Sequence, residues 1–219
     1  MALAAPPKPK FMTLADVIDR VGDVPLDRIM NHPEPGTATV QDVLDLDDHE
    51  DILCELIDGI LVRKPMGFEE SRIGLVLGRF LDDYLEGAGK GFAAGADGML
   101  KLAPNLIRIP VVSVILWDYL KGREVPKVPA PEIAPTIAVE ILSESNTPGE
   151  MRRKVREYFQ AGAKQVWIID PPSRTVKVYS SSEMFELLTE NDRLECPGLL
   201  PGFALLIREL FERALRRPQ

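Results

Sequence analysis

The stretch TIAVEILSESNTPGEMRRKVREYFQAGAKQVWIID, residues 136 to 170, constrains the fold more than any other part of the chain. An apolar run of strand length leads into a segment with apolar residues at helical spacing, and a second apolar run follows. Thr147 suits the helix cap, Pro148 the first turn and Gly162 the closing position, and Glu150 completes a capping box. A strand–helix–strand unit of this length can place its two strands side by side and parallel. The prediction is therefore a mixed α/β domain.

The remaining segments fit that class. TLADVIDRV predicts a helix capped by Thr13, NHPEPGTA a loop and TVQDVLDL a short helix. In ILCELIDGILVRK two apolar runs flank Asp58-Gly59, a dipeptide that accepts the positive φ angles of a tight hairpin turn. ESRIGLVLGRFLDDYLEGAG carries Ile73, Val76, Leu77, Phe80, Leu81 and Tyr84 on one helical face and is predicted to end near Gly87. GFAAGADGMLKLAPNLIRIPVVSVIL reads as short strands with turns at Ala96-Asp97-Gly98 and Pro104-Asn105. Residues 117–135 form a proline-rich loop with a helical turn, TVKVYS and FELLTE two strands, and PGFALLIRELFERAL a terminal helix. Residues 1–12, rich in Pro, Ala and Lys, are predicted to be a loose tail, leaving 13–219 as a single domain.

Composition narrows the function. The formal charge of −8 provides no general attraction to nucleic acid, so such binding needs a local basic patch. Arg152, Arg153, Lys154 and Arg156 are one candidate, and Arg213, Arg216 and Arg217 another, though such runs are commonly solvated helix faces. Two cysteines and two histidines (Cys54, Cys196, His32, His49) exclude the common zinc spacings, and Cys54 reads as a core residue. No apolar stretch approaches the roughly 20 residues of a membrane span, so a soluble, cytoplasmic protein is expected.

Within TIAVEIL, Ile137, Val139 and Ile141 point to one face and Ala138, Glu140 and Leu142 to the other. Both faces are otherwise apolar, as in an interior strand. An ionised carboxylate there costs several kcal/mol unless a cation or donors meet it. Glu55 repeats the pattern in ILCELID, which suggests one shared pocket. The plainer alternative is a glutamate near a sheet edge that reaches solvent or pairs with an arginine. On the 148–161 helix, Met151, Val155 and Tyr158 form the apolar stripe, while Arg152, Arg153 and Arg156 fall on the other side. Lys154 lies on the margin of the packed face, where it can lean toward the preceding strand or simply lay its stem over the core.

ELIDGILVRKPMGF, LAPNLIRIPVVSVILWD, IAPTIAVEILSESNTPGEMRRKVREYFQAG, QVWIIDPPSRTVKVY and LPGFALLIRELF, in this order between about residues 50 and 211, resemble the Uma-type putative restriction endonucleases. That bacterial group belongs to the PD-(D/E)XK nuclease superfamily. The resemblance implies a restriction-endonuclease-like mixed β-sheet flanked by helices, and an endonuclease that hydrolyses DNA phosphodiesters with Mg²⁺ or Mn²⁺ held by carboxylates. By position, Glu140 is the implied metal ligand, with the Ile141 carbonyl beside it, and Glu55 is a further acid that serves as outer ligand or base. The superfamily's lysine position two residues on is Leu142 here, and the resemblance assigns that role to Lys154.

One position departs. Where the family has Ile-Pro-Asp-Val, with Asp as the central metal ligand, this chain has Ile109-Pro110-Val111-Val112. Val111 cannot bind a cation, so metal affinity and cleavage are expected to be impaired unless Asp97, Asp118 or, less suitably, Ser113 substitutes. A non-catalytic relative that binds nucleic acid or a protein partner is the competing expectation, and a hydrolase of another phosphate ester a third. A homodimer is compatible with the exposed strands and terminal helix.

Overall fold

The computed structural model describes residues 13–50, 52–65 and 67–215. The predicted tail, together with Arg216 and Arg217, lies outside them. The described chain runs α1 (Leu14–Val21), α2 (Val40–Glu50), β1 (Cys54–Ile57), β2 (Ile60–Arg63), α3 (Phe68–Ala88), β3 (Gly91–Ala94), β4 (Leu100–Ala103), β5 (Leu106–Arg108) and β6 (Val112–Leu116). It continues through β7 (Ile137–Ile141), α4 (Pro148–Ala161), β8 (Gln165–Asp170), β9 (Thr175–Tyr179), β10 (Phe185–Leu188), β11 (Arg193–Cys196), β12 (Leu200–Leu206) and α5 (Ile207–Leu215).

The β7–α4–β8 unit is the predicted parallel crossover, with Glu140 opposite Ile168 in register. It sits inside a six-stranded mixed sheet of order β10-β9-β8-β7-β6-β3, whose other pairings are antiparallel. Alternation along β7 decides what covers each face. Ile137, Val139 and Ile141 join the larger core with α3 and α5, through Ile73, Leu77, Leu210 and Phe211. Ala138 packs on the opposite side with Met151, Val155 and Tyr158 of α4. Glu140 is on that α4 side.

A second, antiparallel sheet of order β2-β1-β5-β4 carries the hairpin. Its turn has Asp58 at φ 51° and Gly59 at φ 79°, the backbone that an Asp-Gly pair accepts. α1 and α2 pack against this sheet through Val17, Val21 and Val43. Thr13 and Asp16 form a full capping box on α1. On α4 the Thr147 half of the predicted box is present, but the Glu150 carboxylate is turned to Arg28, at 2.8 and 2.9 Å. Arg28 is buried and offers two charged donors, a stronger partner than one backbone N–H.

The C-terminal prediction needs correction. PGFALLIRELFERAL is a strand, β12, followed by the shorter helix α5, and β12 pairs with an unpredicted β11. Gly202 takes φ 88°, which a right-handed helix does not allow, and the alternating burial of Phe203 and Leu205 has strand period.

Candidate functional site

Glu55, Glu140 and Lys154 come from β1, β7 and α4, and all are at least 96% buried. They meet at one ammonium. Lys154 Nζ lies 3.0 Å from Glu55 Oε1 and 3.1 Å from Glu140 Oε1. The crossover explains the geometry: α4 covers the face of β7 that carries Glu140, and Lys154 and Tyr158, one turn apart, project to the same side of the helix. Tyr158 donates its hydroxyl to Glu140 Oε1 at 2.7 Å. Glu55 Oε1 also accepts the Ile109 backbone N–H at 3.1 Å, and Glu55 Oε2 accepts from Arg108 Nη1 at 2.6 Å.

Arg108 ends β5 and is fully buried. Its Nε donates to Glu157 Oε2 at 2.7 Å, while Nη2 makes a charge contact of 2.6 Å with the same oxygen. Glu157 Oε1 in turn accepts from Arg153, which reaches Asp58 of the hairpin turn at 2.8 Å. Lys64, just after β2, is partly buried and donates to the carbonyls of Ile109 at 2.5 Å and Ala96 at 2.9 Å.

These contacts fix the charge states. Burial by itself would raise the Glu55 carboxyl, but Lys154, Arg108, Lys64 and the Ile109 N–H outweigh it and hold the group at about 2. Burial likewise opposes the charge on Lys154, yet Glu140 and Glu55 raise it above the ordinary lysine value. Tyr158 is pushed well up by burial and by the neighbouring Glu140 and Glu55 carboxylates, so it remains a hydroxyl donor. Lys64 is drawn down to about 8 by burial, against the pull of Glu140. Glu55, Glu140, Glu157 and Asp58 are thus paired with Arg108, Arg153 and Lys154.

Val111 sits elsewhere. Its backbone N–H bonds the Val139 carbonyl at 2.9 Å, and its side chain belongs to the α3-side core with Ile73 and Ile141. It lines a cleft of about 620 Å³ together with Ser71, Gly74 and Asp97. Of the substitutes considered, Asp118 is exposed and paired with Arg123. Asp97 is exposed on the cleft, and Ser113 Oγ is buried without a hydrogen-bond partner in β6. Among the described residues no group of three or more His, Cys, Asp or Glu side chains is placed to hold a metal ion. A hard divalent cation needs several oxygens with net negative charge around it. Here two carboxylates already accept from Lys154, Arg108 and Tyr158, and Val111, where the resemblance leads one to expect a third ligand, has no side-chain oxygen. The donor set does not fit the ion that a nuclease of this fold implies.

Sequence reasoning missed Arg108, Glu157 and Lys64, and took Tyr158 only as core. Arg108 carried the same signal that marked the two glutamates, a charge between apolar neighbours (Ile107 and Ile109) on a strand. Arg153, predicted as solvated, is instead tied to Glu157 and Asp58, and Lys154 is buried. Within that basic run only Arg152 and Arg156 are exposed.

The family model that matches this chain is Uma2, described as putative restriction endonuclease, over residues 40–208. A crystal structure of a putative nuclease belonging to DUF820, from Anabaena variabilis ATCC 29413, is similar with a TM-score of 0.69. The two sequences are 22% identical, and the similarity covers 81% of this chain and 99% of that one. At that identity the likeness bears on fold alone. No curated protein sequence matches.

Proposed function

Since the chain belongs to the Uma2 family of putative restriction endonucleases, we propose that it is a DNA-directed nuclease-fold protein whose metal-dependent phosphodiester cleavage is impaired. One observation carries this reading. Glu55 and Glu140, the acids expected to serve the metal, share the Lys154 ammonium instead, and no third acid joins them among the described residues. A divalent ion entering there would have to displace a buried lysine, leaving an uncompensated charge in the interior, which costs several kcal/mol. DNA contact falls to exposed cations such as Arg152 and Arg156, and is expected to be weak and strongly salt-dependent against a chain charge of −8.

A second reading has one observation in its favour. Glu55, Glu140 and Lys154 do converge, as in a working hydrolytic site that Mg²⁺ or Mn²⁺ opens on binding. Supercoiled plasmid nicking separates the two. The parent protein is expected to leave plasmid intact in Mg²⁺ or Mn²⁺ while retarding it on a gel at low salt. Nicking that disappears in Glu140→Gln would overturn the impaired reading in favour of an active enzyme.

A further inference from the structure

One side of α3 packs on the core through Ile73, Val76, Leu77, Leu81 and Leu85. The side turned away carries Phe68, Arg72, Leu75 and Arg79 in its first half and Asp82, Asp83 and Glu86 in its second, all of them exposed. At about 100° per residue these positions fall within an arc of about 100°, one stripe along a helix about 30 Å long. It includes two large apolar side chains left in water: Phe68 is 90% exposed and Leu75 66%. The stripe is also a ridge. Leu75, Arg79 and Asp83 line a cleft of about 720 Å³ on the α5 side and another of about 620 Å³ on the β3 side.

The ridge has a charge polarity, arginines first and acids last. Contacts within the chain make little use of it. Arg79 and Asp83 stand 3.5 Å apart on exposed helix, where solvent screens the pair heavily. Arg72 donates to a backbone carbonyl, that of Arg213, at 3.5 Å. Arg213 itself is engaged by Glu209 at 2.7 Å and lies over the Phe80 ring. A nucleic acid laid on Arg72 and Arg79 would run onto Asp82, Asp83 and Glu86 of the same helix, which repel phosphates. A second copy of this chain meets no such obstacle. Turned about a two-fold axis, it offers acids to arginines and arginines to acids, and one patch serves both sides.

We propose that α3 is the self-association face of this protein. Two copies pack their ridges antiparallel, with Arg72 of each against Asp82 and Asp83 of the other and Leu75 of each against the Arg79 stem of the other. The register is consistent, because residues 72 and 82, like 75 and 79, are centred on Leu77. Each ridge then lies against a cleft that flanks the other, as ridges-into-grooves packing requires. The inference is independent of the nuclease reading and places the expected homodimer on α3 rather than on the exposed strands or α5.

Sedimentation velocity of the full-length protein over a concentration series tests it. At low salt the parent is expected to pass from one chain mass to two, and the dimer to weaken as salt rises. Arg72→Asp and Asp83→Arg, both at exposed positions, each set like charges against one another and should raise the dissociation constant by about ten-fold or more. Mixed in equal amounts, the two variants again oppose an acid to an arginine at both ends of the pair, so the mixture should recover most of the parent's association. Should either variant not fold, Leu75→Lys, set against Arg79 of the other copy, should weaken the dimer likewise. A parent that stays monomeric overturns the proposal. So does a dimer that the single variants leave intact, which puts the interface elsewhere, and so does a mixture that fails to recover. Retardation of DNA by a monomeric parent, lost in Arg72→Asp, overturns it in favour of nucleic acid on this face.

Discussion

At the scale of single residues, the buried charges stand in contact with one another. Glu55 is 1% exposed and its carboxylate receives Lys154, Arg108 and the Ile109 N–H. Its value falls from 4.5 to about 2 on folding, because those partners outweigh the burial that would raise it. A carboxyl depressed in this way stabilises the fold fully above its unfolded value and loses that contribution as pH falls toward the folded one. The shift corresponds to about 3 kcal/mol. Urea unfolding of the parent and Glu55→Gln should therefore differ most above pH 5, and the difference should shrink by about that amount between pH 4.5 and 2. A difference that stays constant over that range would show that Glu55 is not held by its cations. The two glutamates were legible in the sequence because a charge in an apolar strand has to be explained. Arg108, between Ile107 and Ile109, carries the same signal. Lys64 was not legible at all: its partners are backbone carbonyls 32 and 45 residues away, and no local pattern announces them.

Among the elements, the hairpin and the crossover were readable because turn chemistry and capping act within a few residues. The C-terminal strand was not, since ALLI suits either period, and only pairing with β11 settles it. The hairpin's turn also carries a longer-range constraint. Gly59 adopts φ 79°, and a Cβ there would come within 2.7 Å of the Gly36 backbone, whose N–H bonds the Gly59 carbonyl. Gly89, at the C-cap of α3, has a similar φ of 62° but open space around it. Gly89→Ala should cost only left-handed strain, about 1–2 kcal/mol, whereas Gly59→Ala adds a clash with rigid backbone and should cost at least about 2 kcal/mol more. Urea midpoints of the two variants provide the comparison. Equal destabilisation would mean that the loop bearing Gly36 yields freely.

At the scale of the whole molecule, two sheets meet across ion pairs more than across apolar side chains. The hairpin sheet has its own apolar clusters with α1 and α2, and the six-stranded sheet has its own with α3, α4 and α5, with Leu102 of β4 as a side chain that crosses toward α4. Between them stand Lys154–Glu55, Arg108–Glu157, Arg153–Asp58 and Arg28–Glu150. Lys154 is the member that touches a carboxylate from each sheet. Replacing it with Met removes one cation from two buried acids, a change of the kind that costs about 3–5 kcal/mol. The loss should not be spread evenly. β7 and β8 keep their parallel ladder and the apolar packing of both faces, while β1 and β2 lose a tether to them. Amide exchange should therefore quicken in 54–63 well before it does in 137–141 and 165–170 of Lys154→Met. Uniform acceleration across both sheets would mean that the molecule unfolds as one unit and that the charge cluster is not its joint. Unchanged exchange would mean that the apolar contacts hold the sheets together by themselves. The selective outcome would give the cluster a physical reason to persist whatever its chemistry: it would be the fastening between two halves of the fold.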